Sequence, residues 1–445
     1  MESTAVDIAT AVRAGTLTAR AAAEAALARI EASQPTINAW QVIRSEKALA
    51  EADAVDARPD RSDLPLAGVP IAIKDNVTVA GEPMREGTLG SDPAPQAADN
   101  EIVRRLRAAG AVVVGITRVP ELCIWGATDS VFGVTHNPWD LTRTPGGSSG
   151  GTAAAVASGD VPIGHGNDGM GSIRIPSACC GLVGLKPGLG VVPTGLETTA
   201  WNHMSENGPL ATTVADAALM FSVLAGEPAY AEISDPGRLR IALSTKGTSA
   251  ITTVAKPWKN GARQVADLLR ADHDLVEKSP RYPASLMSTT ALSLWTTGAA
   301  EEADLLADPS LLERRNKAHV GIGRKLAKRG HPKNKGREAW RAKAEAFFAD
   351  VDVLITPTLA QTPIKARDWH AGGWLPTLMA NARYAPFAAP WNMVGWPAMN
   401  VPAGLDPDGR PLGVQLVGKP GSERTLLGLA AQIERLQPWQ RTAPR

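Results

Sequence analysis

Two serines in separate glycine-rich loops and one lysine at the end of an apolar run are the residues of this chain best suited to do chemistry. Ser148 lies in Pro145-Gly146-Gly147-Ser148-Ser149-Gly150-Gly151, Ser172 in Asn167-Asp168-Gly169-Met170-Gly171-Ser172-Ile173-Arg174-Ile175-Pro176, and Lys74 in Ile71-Ala72-Ile73-Lys74-Asp75-Asn76. Together they read as a nucleophile, a relay hydroxyl and a base, the equipment for acyl transfer through a covalent serine ester. An amide carbonyl resists an unassisted hydroxyl, so the serine needs a base for its proton and donors for the oxyanion. A lysine can be that base only when neutral. Its pKa in water is about 10.4, and burial has to lower it by several units. The run from Val69 to Ile73 would carry the amine into a dry interior. The same lysine could end a strand with its amine in water; the two serine loops favour the catalytic role.

Other chemistries fit less well. Gly146-Gly147-Ser148-Ser149-Gly150 satisfies a Gly-x-Ser-x-Gly elbow, but Asp140-Leu141-Thr142-Arg143-Thr144-Pro145 before it is not the apolar strand such an elbow follows. Gly164-His165-Gly166-Asn167-Asp168-Gly169 matches a dinucleotide pattern without its flanking strand, helix and downstream acid. The seven histidines are dispersed and form no His-x-x-x-His pair, so no metal or cofactor is called for.

Further segments accompany the serines: Gly68-Val69-Pro70 before the lysine run, Asn137-Pro138-Trp139-Asp140, Gly184-Leu185-Lys186-Pro187, Gly208-Pro209-Leu210-Ala211, and Gly409-Arg410-Pro411-Leu412-Gly413-Val414-Gln415-Leu416-Val417-Gly418. In this order the set resembles the amidase signature family of serine hydrolases, from about Ala11 to Leu436. The resemblance implies Ser172 as nucleophile, Ser148 as bridge and Lys74 as terminal base, with a cis peptide at Gly147-Ser148. It also implies an α/β fold: one large domain with a central mixed β-sheet covered on both faces by helices.

Gly169, Met170, Gly171 and Ser172 are placed to offer backbone N–H groups as an oxyanion hole. Here the chain departs from the family, which normally has glycine or alanine at Met170 and a small hydroxyl residue at Asn167. Met170 could fill part of the acyl pocket. Asp168 and Arg174 are expected to brace the loop, Arg174 having the alternative of binding a substrate carboxylate. Ser149 supports the site at the start of a helix of small residues, Thr152-Ala153-Ala154-Ala155-Val156-Ala157. Cys123, Ile124 and Trp125 align with a family segment that flanks the substrate, although Cys123 reads equally well as a buried apolar residue. Trp201, Trp295, Trp391 and Trp396 are further candidates for an aromatic pocket.

The elements that must position these residues can be read from capping and periodicity. Thr18 can cap a helix to about Ser33, and Asn100 another from Glu101 to Ala109, closed by Gly110. Ala111-Val112-Val113-Val114-Gly115-Ile116 follows at once as an uninterrupted apolar strand, the pattern of a sheet covered on both faces. Val353-Leu354-Ile355 is a second such strand. A turn at Leu405–Gly409 leads into a strand from Gly413 to Val417, and Leu426, Ala430 and Ile433 share one face of a last helix. Residues 60–220 form the core that carries the motifs, and 230–350 read as a variable helical segment shaping the pocket, within one domain of residues 1–445.

With 46 basic and 45 acidic residues in 445, the chain has no global field for nucleic acid or an anionic membrane. Nine Lys or Arg between 324 and 343 read as a solvated helix face. Three cysteines, two adjacent, give no disulfide framework, and the N-terminus has no secretory h-region; a cytoplasmic location is the expectation. No run approaches the roughly 18 apolar residues of a membrane helix. The expected reaction is hydrolysis of a small-molecule amide, with esters as further substrates and a homodimer left open. The alternatives are an acyltransferase using the same acyl-enzyme, a glutamine amidase subunit of an amidotransferase, and a non-catalytic scaffold blocked by Met170.

Overall fold

A computed structural model describes residues 3–195, 198–249, 252–332 and 334–444. Thirteen strands are present among them: β1 Trp40–Ile43, β2 Pro70–Lys74, β3 Val112–Thr117, β4 Asp129–Ser130, β5 Gly133–Val134, β6 Ile163–Asp168, β7 Val183–Lys186, β8 Glu206–Ala211, β9 Arg240–Leu243, β10 Asp274–Glu277, β11 Val353–Pro357, β12 Ala398–Leu405 and β13 Pro411–Gly418. Eleven form one sheet in the order β1-β3-β2-β6-β8-β7-β12-β13-β11-β9-β10, and β4 pairs with β5 alone. The sheet is mixed. β3, β2 and β6 run parallel at one side, and β11, β9 and β10 at the other. An antiparallel run from β6 through β8, β7, β12 and β13 to β11 joins them.

Every residue of β2, β3, β6, β7, β8, β11 and β13 is buried. Successive strand residues face opposite ways, so this pattern requires cover on both faces, which the flanking helices supply. The expected caps are in place: Thr18 accepts from Ala21 N–H, and Asn100 from Ile102 N–H. The first of these helices runs beyond Ser33 to Ile37, because Pro35 falls in its last turn and Asn38, in the left-handed region, closes it. The stretch 230–350 also supplies two strands, β9 and β10, alongside its helices. No helix among the described residues is long and apolar enough to cross a membrane.

Two apolar clusters share the interior. The larger lines the sheet through Ile71, Ile73, Val113, Ile163 and Val414. The second is rich in aromatic rings, including Trp125, Trp201, Trp295, Trp340, Phe348, Trp391 and Trp396.

Candidate active site

Parallel pairing of β2 with β6 brings their carboxyl ends to one edge of the sheet, and the site is built there. Lys74 is the last residue of β2 and is fully buried. Its Nζ donates to Ser148 Oγ at 2.8 Å and to the carbonyl oxygen of Asn167, near the end of β6, at 2.9 Å. Burial pushes the amine below its ordinary pKa, while Cys123, Asp168 and Glu86 favour its charged form.

The Gly147–Ser148 peptide is cis. Gly147 has no room for a side chain: a Cβ there would lie 2.5 Å from the carbonyl oxygen of Trp125 and 2.8 Å from Ala127 N. Ser149 N–H donates to the Ser172 carbonyl at 3.2 Å, which ties the two serine loops together. Ser149 also opens the buried helix Gly150–Ala157, whose small side chains let it pack beneath the loops.

The loop that carries Ser172 is organised by Asp168. Asp168 Oδ1 accepts the Gly171 N–H at 2.6 Å, and Oδ2 accepts those of Ile173 at 3.2 Å and Arg174 at 3.4 Å. Gly171 has φ +121°, and a Cβ there would meet Ala388 Cβ at 2.6 Å. Of the four N–H groups expected to form an oxyanion hole, that of Gly171 is therefore committed to Asp168. No hydrogen bond occupies those of Gly169, Met170 and Ser172 among the described residues.

Arg174 and Asp168 are both wholly buried. The guanidinium meets Asp168 through Nε at 2.9 Å and Nη2 at 3.0 Å. Nη1 reaches the Ala388 carbonyl at 3.0 Å and Gln415 Oε1 at 2.6 Å, and Nη2 also reaches Asn392 Oδ1 at 2.6 Å. All five donors of the guanidinium are used, so none is left for a substrate carboxylate. Burial opposes ionisation of Asp168, but Arg174, with Lys186 and Asn392, outweighs it and holds the carboxyl well below its usual range.

A narrow cleft, partly open to solvent, is lined by Ser148 and Ser172 together with Cys123, Asn167, Gly169 and Trp201. Cys123 adopts φ +55°, and burial pushes its thiol up to about 12. Ile124 and Trp125 lie outside this lining. Both are buried in the aromatic cluster, where the Trp125 indole donates to Asn316 Oδ1 at 2.7 Å and meets Trp295 edge-on at 5.4 Å. Of the other tryptophans considered, Trp201 lines the cleft, and Trp295, Trp391 and Trp396 pack in the cluster. Met170 also lies outside the lining. It packs against the aromatic cluster and does not adopt a positive φ, so its side chain neither fills the cleft nor strains the loop. Asn167 is satisfied inside the protein: Oδ1 accepts from Ser205 Oγ at 2.8 Å, and Nδ2 donates to Asn207 Oδ1 at 3.0 Å.

Sequence reasoning missed Asn392, Asn76, Glu86 and Glu302. Asn392 is buried between Trp391 and Met393, and its Nδ2 donates to the Asp168 carbonyl and to Asp168 Oδ1, both at 2.8 Å, and to the Met204 carbonyl at 3.1 Å. A polar amide inside that apolar run was the available signal. Gln415 stood inside a quoted motif without a role. The two glutamates, from segments distant in sequence, carried no signal at all.

Comparison with known proteins agrees with this architecture. The amidase family model matches residues 21–427. AmiB2 of Mycobacterium tuberculosis, an amidase by name, is 43% identical over 97% of this chain and 95% of its own. An acylamidase of Rhodococcus erythropolis is 34% identical over 99% and 96%. The structure of 6-aminohexanoate cyclic dimer hydrolase complexed with substrate superposes with a TM-score of 0.85 and 29% identity, covering 98% of this chain and 97% of that one. The chain belongs to the amidase signature family and is an amidase.

Proposed function

We propose that the protein hydrolyses small-molecule carboxylic amides through an acyl-enzyme on Ser172, with Ser148 as proton relay and Lys74 as base. The observation that carries this reading is the buried Lys74 Nζ at 2.8 Å from Ser148 Oγ, with Ser148 and Ser172 lining one cleft. In the first half-reaction the Ser172 oxygen bonds to the carbonyl carbon. Its proton moves to the Ser148 oxygen as that hydroxyl gives its own proton to neutral Lys74. The oxyanion is held by the N–H groups of Gly169, Met170 and Ser172. The proton returns by the same route to the leaving nitrogen, the C–N bond breaks, and ammonia or an amine departs. Water then attacks the ester under the same base, releasing the carboxylic acid and restoring Ser172.

Burial favours the neutral amine that this scheme requires. The loop is braced without any substrate contribution, because Asp168, Arg174, Asn392 and Gln415 satisfy one another. The reading is tested by labelling with a fluorophosphonate followed by peptide mapping. Modification at Ser172 in the wild type, absent in Ser172→Ala and strongly reduced in Lys74→Ala, is the expected pattern. Modification elsewhere, or amide turnover above a few per cent in either variant, contradicts it.

A further inference from the structure

The described cleft lining includes two carboxylates and no cationic side chain to match them. Glu86 and Glu302 line the same space as Ser148 and Ser172, and so does Asn76. No Lys, Arg or His is among the described lining residues. Asn76 is only 5% exposed, yet its Oδ1 has no hydrogen-bond partner. A buried acceptor left open in this way costs free energy unless something else supplies the N–H. Glu302, on the helix Leu292–Asp304, accepts from Thr198 Oγ at 2.6 Å through Oε1. No described residue donates to the Glu86 carboxylate.

The wall is also held in place. Asp75, between Lys74 and Asn76, accepts the Arg85 N–H at 2.9 Å, and the Glu86 carbonyl accepts the Leu122 N–H at 2.8 Å. Glu86 thus reaches the cleft from a loop fixed to the strand end that carries the base.

We propose that Asn76, Glu86 and Glu302 bind a protonated amine on the substrate, so that the preferred substrates are amides whose acyl chain carries an ammonium group. This assignment rests on the amidase reading of the site and deepens it. An ammonium group has three donors and no acceptor, the complement of one carboxamide oxygen and two carboxylates. The electrostatics point the same way. Burial, then the neighbouring Glu302 and Asp75, push the Glu86 carboxyl up to about 8 against the opposing pull of Lys74, as expected for acids crowded beside one cleft. Glu86 in turn favours the charged form of Lys74.

The test compares ω-amino amides of increasing chain length with the alkanamides of equal length, for example 5-aminopentanamide with hexanamide, and with the matching ω-carboxy amides. At the best-fitting length the amino amide is expected to exceed the alkanamide in kcat/KM by roughly tenfold or more, the worth of one hydrogen bond to a charged group. The carboxy amide is expected to be the poorest of the three. Glu86→Gln and Glu302→Gln, which keep the shape and remove the charge, are expected each to shrink that ratio, and the double variant to bring it near one. The proposal is overturned if hexanamide is hydrolysed and no amino amide in the series surpasses its partner, or if the preference survives in the double variant. Should neither class be hydrolysed and Ser172 remain unlabelled, it is the amidase reading that fails. Calorimetry of 5-aminopentanamide and hexanamide with the intact Ser172→Ala protein then decides the wall on its own: tighter binding of the amino amide supports it, and equal binding overturns it.

Discussion

Replacing Asn392 separates the bracing of the nucleophile loop from the chemistry performed on it. Its side chain makes four hydrogen bonds in a fully enclosed setting. Nδ2 donates to the Asp168 carbonyl and to Asp168 Oδ1 at 2.8 Å, and to the Met204 carbonyl at 3.1 Å; Oδ1 accepts from Arg174 Nη2 at 2.6 Å. Two of these involve an ion, worth roughly 1.5–3 kcal/mol each; the two carbonyl contacts share the remaining N–H and are worth about 1 kcal/mol together. The gross sum is about 4–7 kcal/mol. The deletions are not independent, and water can enter the vacated space, so a loss of about 3–5 kcal/mol is expected for Asn392→Ala. Asn392→Asp keeps the volume but turns the donors toward Asp168 into a second anion, and is expected to be at least as damaging. Urea unfolding followed by fluorescence measures the stability. Because Asp168 Oδ1 also holds the Gly171 N–H, a shifted carboxylate displaces the neighbouring oxyanion donors, and kcat on a simple amide should fall roughly 10- to 100-fold under conditions where the variant is still folded. A loss below about 1 kcal/mol in both variants with kcat unchanged would refute the bracing argument.

The pH dependence follows from Lys74. Its pKa is depressed by burial, so the rate should climb with pH as the amine loses its proton and level off below the ordinary lysine value; a profile flat from pH 6 to 9 contradicts a lysine base. The same depression means that the unfolded chain binds this proton more tightly than the folded one. Stability therefore rises with pH between the folded Lys74 pKa and the unfolded value near 10.4, by up to about 1.4 kcal/mol per unit, and Lys74→Met should remove that slope from urea titrations. Gly147→Ala would force a Cβ to within 2.5 Å of the Trp125 carbonyl, a backbone neighbour that cannot swing aside, so loss of soluble protein or of nearly all amide turnover is expected, read by expression yield and assay. Met170→Gly should leave the order of preference in an amide panel unchanged while lowering stability by about 1–3 kcal/mol, because the side chain packs on the aromatic cluster outside the cleft; a broadened panel would place it in the pocket after all.

Much of the fold was legible because local signals agreed with the tertiary environment. The caps at Thr18 and Asn100 depend on side chains within three residues of the N–H groups they satisfy. The continuous apolar runs at Val112–Ile116 and Val353–Ile355 stand for strands covered on both faces. The stretch 230–350 was harder to read. Its strands β9 and β10 are only four residues each; β9 offers three buried residues, too few to stand out, and β10 is largely exposed. Within the site, Arg174 had two readings in the sequence, and only the positions of Asn392, Gln415 and the Ala388 carbonyl show that its donors are all engaged. Met170 was ambiguous for the same reason: the sequence gives the size of a side chain but not the side of the loop on which it lies.

By itself the sequence determined the candidate reactive groups and the order in which they occur, since glycine-flanked serines and a lysine ending an apolar run are local features preserved in any correct fold. The tertiary structure decided what faces them. Trp125 turns into the core although it is only two residues from Cys123, which lines the cleft, and Glu86 and Glu302 line that cleft together from distant parts of the chain. The physical reason is that the candidate nucleophile, relay and base are marked by residue type and local sequence, while strand pairing brings them together. The walls of a cleft are set by strand order and helix packing, which bring together residues with no relation along the chain.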